Sequence, residues 1–143
     1  MEPCYLPVRG SATMNLHLVW ATLLGGVLGS LADWLFAGVL FHNRYQVYPE
    51  VWRAGNERMR IVGAQLMAFV TAAAFVALAV KLHQSDMRGA LKLAAMVWLI
   101  GPLPLLVANA FFIKIDHLVT ASHAAGWLAK LLLIAAATAW LVA

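Results

Sequence analysis

The sequence predicts an all-α integral membrane protein built as a four-helix transmembrane bundle. Its 143 residues are 64% hydrophobic and 11% charged, whereas a soluble domain carries about 25% charged residues. Four apolar stretches, roughly 16–41, 59–82, 90–113 and 123–142, are each about long enough to cross a hydrocarbon core of ~30 Å as a helix. We therefore expect a single domain over 16–143, preceded by a leader over 1–15 that is non-native or disordered.

The positive charge of the chain fits a membrane protein as well. A formal net charge of +4 would suggest nucleic acid as a partner in a soluble protein. Here the basic residues flank the apolar stretches, where they contact lipid headgroups and set orientation. We expect membrane lipids as partners and no nucleic acid. The single cysteine, Cys4, excludes thiol–disulfide chemistry that needs two cysteines in one chain.

The first stretch carries a charged residue, Asp33, on a face of small residues. Asp33 shares that face with Gly26, Ser30 and Ala37, at steps of four, three and four, which is a helical period. A charge in the hydrocarbon region costs at least a few kcal/mol and usually faces the bundle interior. The spacing therefore predicts that Asp33 points at the other helices. The opposite, lipid-facing side is leucine-rich: Leu24, Leu28, Leu31 and Leu35.

Each of the two middle stretches carries one amide side chain. Gln65 falls on one helical face with three alanines, Ala68, Ala72 and Ala79. Asn109 falls on one face with Trp98, Pro102 and Leu105. We expect both amides to face inward.

Two prolines interrupt the third stretch near its middle. Pro102 and Pro104 follow Gly101 directly, and each proline removes a backbone hydrogen bond and clashes with the preceding turn. The sequence predicts a kink there, or a break that lines a cavity.

The last stretch holds the second buried charge, Lys130. It shares a face with His123 and Trp127, and Trp127 is one turn away, close enough for a cation–π contact. Lys130 lies ~10 Å inside its helix end and Asp33 ~12 Å inside its own, at 1.5 Å per residue. Since both ends lie on the same side of the membrane, we predict that Asp33 and Lys130 form an ion pair. A purely structural pair, or a lysine that reaches the headgroups instead, remains an alternative.

These residues predict a one-sided polar pocket. Asp33, Gln65, Asn109 and Lys130 all fall in the half of the bundle nearest the long loop 42–58, which we call the loop side. The opposite half, at the termini, is nearly free of polar side chains and would form an apolar plug.

The long loop lies over the mouth of this predicted pocket. Arg44, Glu50 and Arg53 could bind a phosphate or carboxylate head there. The aromatic residues of the same loop are typical of a membrane-interface belt: Tyr45, Tyr48 and Trp52.

Some of the same residues are candidates for catalysis or for a metal site, and two histidines on the terminal side are candidates for haem. Asp33, Lys130 and His123 are the candidate catalytic residues, because burial and mutual proximity can shift pKa values strongly. Asp116, His117 and His123 form a weak metal candidate, since no recognised ligand spacing is present. His17 and His83 are the weak haem candidates, and the sequence requires no cofactor.

Charge near the helix ends gives a slight preference for orientation. Five basic residues flank the loop side (Arg44, Arg53, Arg58, Arg60, Lys114) and four flank the terminal side (Arg9, Lys81, Arg88, Lys92). The positive-inside rule therefore favours a cytoplasmic loop side and extracytoplasmic termini.

Four segments carry a resemblance to a known family. They are GSLADWLF from Gly29, PEVWR from Pro49, WLIGPLP from Trp98 and SHAAGWLAK from Ser122. These resemble small bacterial four-helix membrane proteins known only as a domain of unknown function. The resemblance covers nearly everything from Leu16 onward and implies a multi-pass protein of the bacterial inner membrane. It supplies no activity and no catalytic residue.

Two functions from different classes follow. The first is a protein that binds an amphiphile, such as a lipid, quinone or isoprenoid, in the polar pocket; the residues leave open whether it acts on that ligand. The second is an accessory or assembly subunit, packed in a homo-oligomer or a larger membrane complex. A proton-coupled transporter and a haem protein are less favoured.

Overall fold

A computed structural model describes residues 10–51 and 55–142, and within them the chain is helical with short connections. The α-helices are α1 (Gly10–Asp33), α2 (Glu57–Lys81), α3 (Met87–Ile100), α4 (Pro102–Phe112) and α5 (His117–Val142). After α1 the chain continues as a π-helical segment, Trp34–Leu40, and then as two short 3₁₀ turns, His42–Gln46 and Pro49–Val51. Four helical segments are long and apolar enough to cross a membrane: Thr13–Leu40, Glu57–Lys81, Met87–Phe112 and His117–Val142. The predicted all-α transmembrane fold is confirmed.

Helices α1 and α5 form the central pair of the bundle. α2 packs mainly on α1, and α3 packs on α5, so the two outer helices lie on different members of the central pair. α5 is accordingly the most enclosed span, with 44% of its most apolar window buried, against 11% for the span made by α3 and α4. A side chain on α5 is therefore the best protected from lipid.

The terminal-side half of the bundle is filled by small apolar side chains. Alanines dominate this core, and small residues let membrane helices approach closely. The buried hydroxyl of Thr138 donates to the carbonyl of Ile134 in its own helix at 2.8 Å, so it needs no outside partner. The core therefore matches the predicted apolar plug. It consists of Ala72, Phe75, Ala79, Ala90, Ala94, Leu131, Ile134, Ala135 and Ala139.

Side-chain caps fix where the later helices begin. Asn56 accepts from the backbone N–H of Met59 at the start of α2, and Asp86 accepts from that of Gly89 at the start of α3. Asp116 accepts from the backbone N–H of Leu118 at 2.7 Å, a local capping bond of the kind that starts a helix. For this reason α5 begins at His117, one and a half turns before the residue 123 expected from hydropathy.

The first helix also begins earlier than hydropathy suggests. α1 starts at Gly10, inside the stretch 1–15 that was expected to be a leader. The rest of the predicted leader, residues 1–9, lies outside the described part of the chain.

The third span breaks where the prolines predicted it. α3 ends at Ile100, Gly101 adopts φ −116° and ψ −89°, and α4 begins with Pro102 as its first residue, a favourable position for proline. The break changes the direction of the helix face. Trp98, before it, donates its indole N–H to the carbonyl of Ala124 on α5 at 2.8 Å. Asn109, after it, is exposed on the outer surface, and α4 has no buried residue.

Candidate functional site

Asp33 and Lys130 form the predicted ion pair. The Lys130 ammonium Nζ lies 2.6 Å from Asp33 Oδ2, which joins the central helices α1 and α5 in the loop-side half of the bundle. The Lys130 side chain is 5% exposed and that of Asp33 is 29% exposed. Because the Lys130 ammonium contacts Asp33 within the bundle, the side chain does not extend to the lipid headgroups instead. The pair is enclosed on the lysine side and open on the carboxylate side.

Glycine at position 29 makes room for the lysine side chain. A Cβ atom there would lie 3.1 Å from Lys130 Cγ and 3.6 Å from Ala68 Cβ. The methylene chain of Lys130 thus runs against the bare backbone of α1, one turn before Asp33, at the point where α1, α2 and α5 meet. The small-residue face seen in the sequence therefore lets the lysine reach its partner.

Trp127 covers the lysine from its own helix. Lys130 Nζ lies 4.2 Å from the centre of the Trp127 ring, within the range of a cation–π interaction. This contact was predicted from the one-turn spacing. The ammonium group is thus held by a carboxylate and by an aromatic face.

Tyr45 and His123 connect the loop to the charged pair. The Tyr45 hydroxyl lies 3.1 Å from His123 Nε2, and the two rings meet edge to face at 5.7 Å. Burial raises the pKa of the Tyr45 phenol, the neighbouring Ser122 hydroxyl lowers it, and the Asp33 carboxylate raises it. Tyr45 is therefore a phenol at neutral pH, and it shares one hydrogen bond with the imidazole, whose tautomer sets the direction of that bond. Sequence reasoning placed Tyr45 in an interfacial belt; the structure places it inside the cluster.

A π-helical segment follows Asp33 immediately. Its wide turns leave the Phe36 carbonyl bonded to the backbone N–H of Phe41 at 3.1 Å, and the buried Ser122 hydroxyl also donates to that carbonyl at 3.4 Å. Phe36 packs against Gly126, where an added Cβ would lie 3.4 Å from its side chain. π-helical turns are rare and often occur at functional sites. The hydropathy pattern predicted only a continuous helix here.

Two further polar atoms are buried beside the pair. Ser30 Oγ and Gln65 Oε1 are inaccessible, and neither has a hydrogen-bond partner within residues 10–51 and 55–142. Gly25 faces Ala72 and Gly29 faces Ala68 across the α1–α2 contact. Continuing this antiparallel register by one turn brings Gln65 to the level of Ser30 and Asp33. Buried polar atoms normally have a hydrogen-bond partner, so the two unpartnered oxygen atoms of Ser30 and Gln65 call for an explanation.

The long loop is fastened to the turn before α5. Lys114 Nζ lies 3.4 Å from Glu50 Oε1 and 4.8 Å from the centre of the Tyr48 ring. A hydrogen bond from its own backbone N–H and the contact with Lys114 hold the pKa of the Glu50 carboxyl below its usual value. Both members of this ion pair are exposed, so it is expected to add little to stability.

A cleft at this surface is too small for a headgroup. Arg44, Tyr45, Tyr48, Lys114 and Asp116 are among the residues that line about 10 Å³ of space, roughly the volume that one water molecule needs. Neither Asp33 nor Lys130 lines it. Arg44 and Glu50 thus lie at the surface rather than against the ion pair, and Arg53 and Trp52 lie outside the described residues.

The structure differs from the predicted polar layer at Asn109. Its side chain is exposed on α4, because the break at Gly101 turns that face away from the bundle. Three of the four spans, rather than all four, contribute to the layer. Tyr45, Ser30 and Ser122 complete it.

In the described part of the chain, the weak metal candidates Asp116, His117 and His123 are not assembled into a ligand set. Within the described residues no group of three histidine, cysteine, aspartate or glutamate side chains could hold a metal ion. Asp116 caps α5 and His123 bonds with Tyr45. On the terminal side, His17 Nδ1 lies 2.6 Å from the Leu141 carbonyl, which ties the start of α1 to the end of α5.

A known protein family matches most of the chain. Residues 20–139 match the family described as "Protein of unknown function (DUF1761)". The chain belongs to this family. The DUF1761 match includes α2, α3 and α4, most of α1 and α5, and the whole polar cluster, so the site lies within the region that defines the family. No match was found among curated proteins or solved structures.

Proposed function

We propose that this DUF1761 protein binds an amphiphilic ligand, of the lipid, quinone or isoprenoid class, with the polar head of the ligand at the Asp33–Lys130 pair. The observation that supports this most is the pair itself, a 2.6 Å ion pair within the bundle whose carboxylate side remains 29% exposed. A pair that served packing alone could be enclosed completely. The open carboxylate instead offers a polar contact to the head of an amphiphile.

The surroundings of the pair support the same proposal. Ser30 Oγ and Gln65 Oε1 add two polar atoms that lack partners within the described chain. Below them the alanine-rich core closes the terminal side, so the tail of a ligand would lie along the outer surface of the bundle. The resemblance to bacterial proteins supports the inner membrane of a bacterium as the location.

Native mass spectrometry of the purified protein tests this proposal. The protein is extracted in a mild neutral detergent, and we expect a lipid-like molecule to remain bound. The double variant Asp33→Asn/Lys130→Met removes both charges together, so neither is left unpaired. It should fold and retain several-fold less ligand, whereas Lys92→Gln, an exposed cation of α3, should retain as much as the parent protein.

An accessory-subunit role is the second candidate. It is favoured by α4, which has no buried residue and exposes Asn109 and several large apolar side chains, as a helix covered by a partner would. If the purified protein retained no ligand and co-purified stably with another membrane protein, amphiphile binding would be ruled out in favour of this role.

A further inference from the structure

The charge balance of the site restricts which headgroup it can bind. The Lys130 ammonium is already occupied by Asp33 Oδ2 at 2.6 Å and by the Trp127 ring at 4.2 Å. His123 Nε2 is engaged by the Tyr45 hydroxyl at 3.1 Å. The ammonium of the cluster is therefore compensated by Asp33 and is not free to hold a phosphate or carboxylate.

The exposed part of the pair is its negative end. Asp33 is 29% exposed and Lys130 only 5%, so an incoming headgroup meets a carboxylate. A second anion at this place would repel Asp33 in a medium of low dielectric constant. A hydroxyl group would instead donate a charge-assisted hydrogen bond to the carboxylate.

The two unpartnered atoms fit the same kind of group. Ser30 offers a hydroxyl and Gln65 an amide, and both are neutral groups that can donate as well as accept. The register between α1 and α2 places Gln65 at the level of Asp33, and Ser30 lies about one turn before Asp33 on α1. A ligand hydroxyl that donates its one proton to Asp33 can also accept from the Ser30 hydroxyl or from the amide nitrogen of Gln65, whose Oε1 is itself an acceptor.

We propose that the ligand of this site is an apolar-tailed alcohol, whose uncharged hydroxyl head donates to Asp33 and hydrogen-bonds with Ser30 or Gln65. This inference rests on the proposed function, since it specifies the head of the amphiphile. It predicts that the same tail bearing a phosphate is rejected. The arginines of the loop then have no part in holding the head.

The test compares two probes that differ only in the head. Farnesol and farnesyl phosphate are titrated into the protein in neutral detergent, and binding is followed by tryptophan fluorescence, to which Trp127 should contribute, and by native mass spectrometry. We expect farnesol to bind at least about tenfold more tightly, the factor that corresponds to ~1.4 kcal/mol.

Variants that preserve the ion pair identify the residues responsible. Ser30→Ala and Gln65→Met should each weaken farnesol binding by about three- to tenfold, as expected for the loss of one hydrogen bond, with little effect on farnesyl phosphate. In Asp33→Asn/Lys130→Met the preference between the probes should fall to within about threefold, because the carboxylate that repels the phosphate is gone. Lys92→Gln should behave as the parent protein.

The possible failures are distinguishable. Equal or tighter binding of farnesyl phosphate would overturn the hydroxyl head and leave amphiphile binding standing. If neither probe bound but a native molecule were retained, a charged head on that molecule would also overturn it, and an alcohol would support it. If neither probe bound and nothing were retained, both proposals would fail.

Discussion

At the scale of single residues, the Asp33–Lys130 ion pair joins the two central helices, α1 and α5. Both residues stand out in the sequence because charges inside apolar stretches are rare, and their similar depths predict that they pair. The structure adds an asymmetry: the lysine is enclosed and the carboxylate is partly open. That asymmetry depends on the positions of the neighbouring helices. It favours a ligand that donates a hydrogen bond to the Asp33 carboxylate.

The pair gives a prediction for stability. Asp33→Asn or Lys130→Met alone should each lower the free energy of unfolding by about 3 kcal/mol, because the remaining group is left buried and unpaired. The double variant should recover much of this loss. Thermal unfolding in detergent, analysed as a double-mutant cycle, measures the coupling.

The exposed pair Glu50–Lys114 is a matched control within the same chain. Its atoms are 3.4 Å apart, with side chains 59% and 69% exposed, so the same cycle there should give a coupling below about 1 kcal/mol. Purely additive losses at Asp33 and Lys130 would show that their contact contributes no net stability.

At the scale of elements, close contact between α1 and its neighbours positions the site. Glycines on the inner face of α1 bring α2 and α5 near enough for Lys130 to reach Asp33. At Gly26 an added Cβ would lie 2.2 Å from the Phe69 ring, a distance that requires the ring to move. The packing of α1 on α2 thus depends on a bare backbone at this position.

Alanine substitution of two glycines tests this packing. Gly26→Ala should destabilise the protein by about 1–3 kcal/mol, as overpacking typically does. Gly63→Ala is the control, since nothing lies within 4 Å of its added Cβ, and it should be neutral or stabilising by up to about 1 kcal/mol through helix propensity. Thermal unfolding compares the two.

The double variant Gly26→Ala/Phe69→Leu should recover part of the loss at Gly26, because a smaller side chain leaves room for the new methyl group. Equal stability of Gly26→Ala and Gly63→Ala would contradict the packing described for α1 and α2.

At the scale of the whole molecule, the polar cluster lies on one side of the membrane. The loop side carries Asp33, His123 and Tyr45, and the terminal side carries the alanine-rich core. A ligand of the proposed site would therefore enter from one leaflet. Which leaflet this is depends on orientation.

Orientation follows from the distribution of basic residues and can be measured directly. With five basic residues on the loop side against four on the terminal side, we expect extracytoplasmic termini. An alkaline phosphatase fused after Ala143 should be active in bacterial cells, and a green fluorescent protein fused there should be dark. The reverse result would place the open side of the site towards the outside of the cell.

The sequence by itself determined the class of fold, the four spans, the break at Gly101 and the two charges that pair. These follow from local properties: apolar length, helical period and the geometry of proline. Only the tertiary structure decided that Asn109 leaves the polar layer, that Tyr45 enters it, that the chain after Asp33 is π-helical and that the carboxylate is the open end of the pair. Each of these depends on how far one helix is rotated or unwound against another, which side-chain packing sets between residues distant in the sequence.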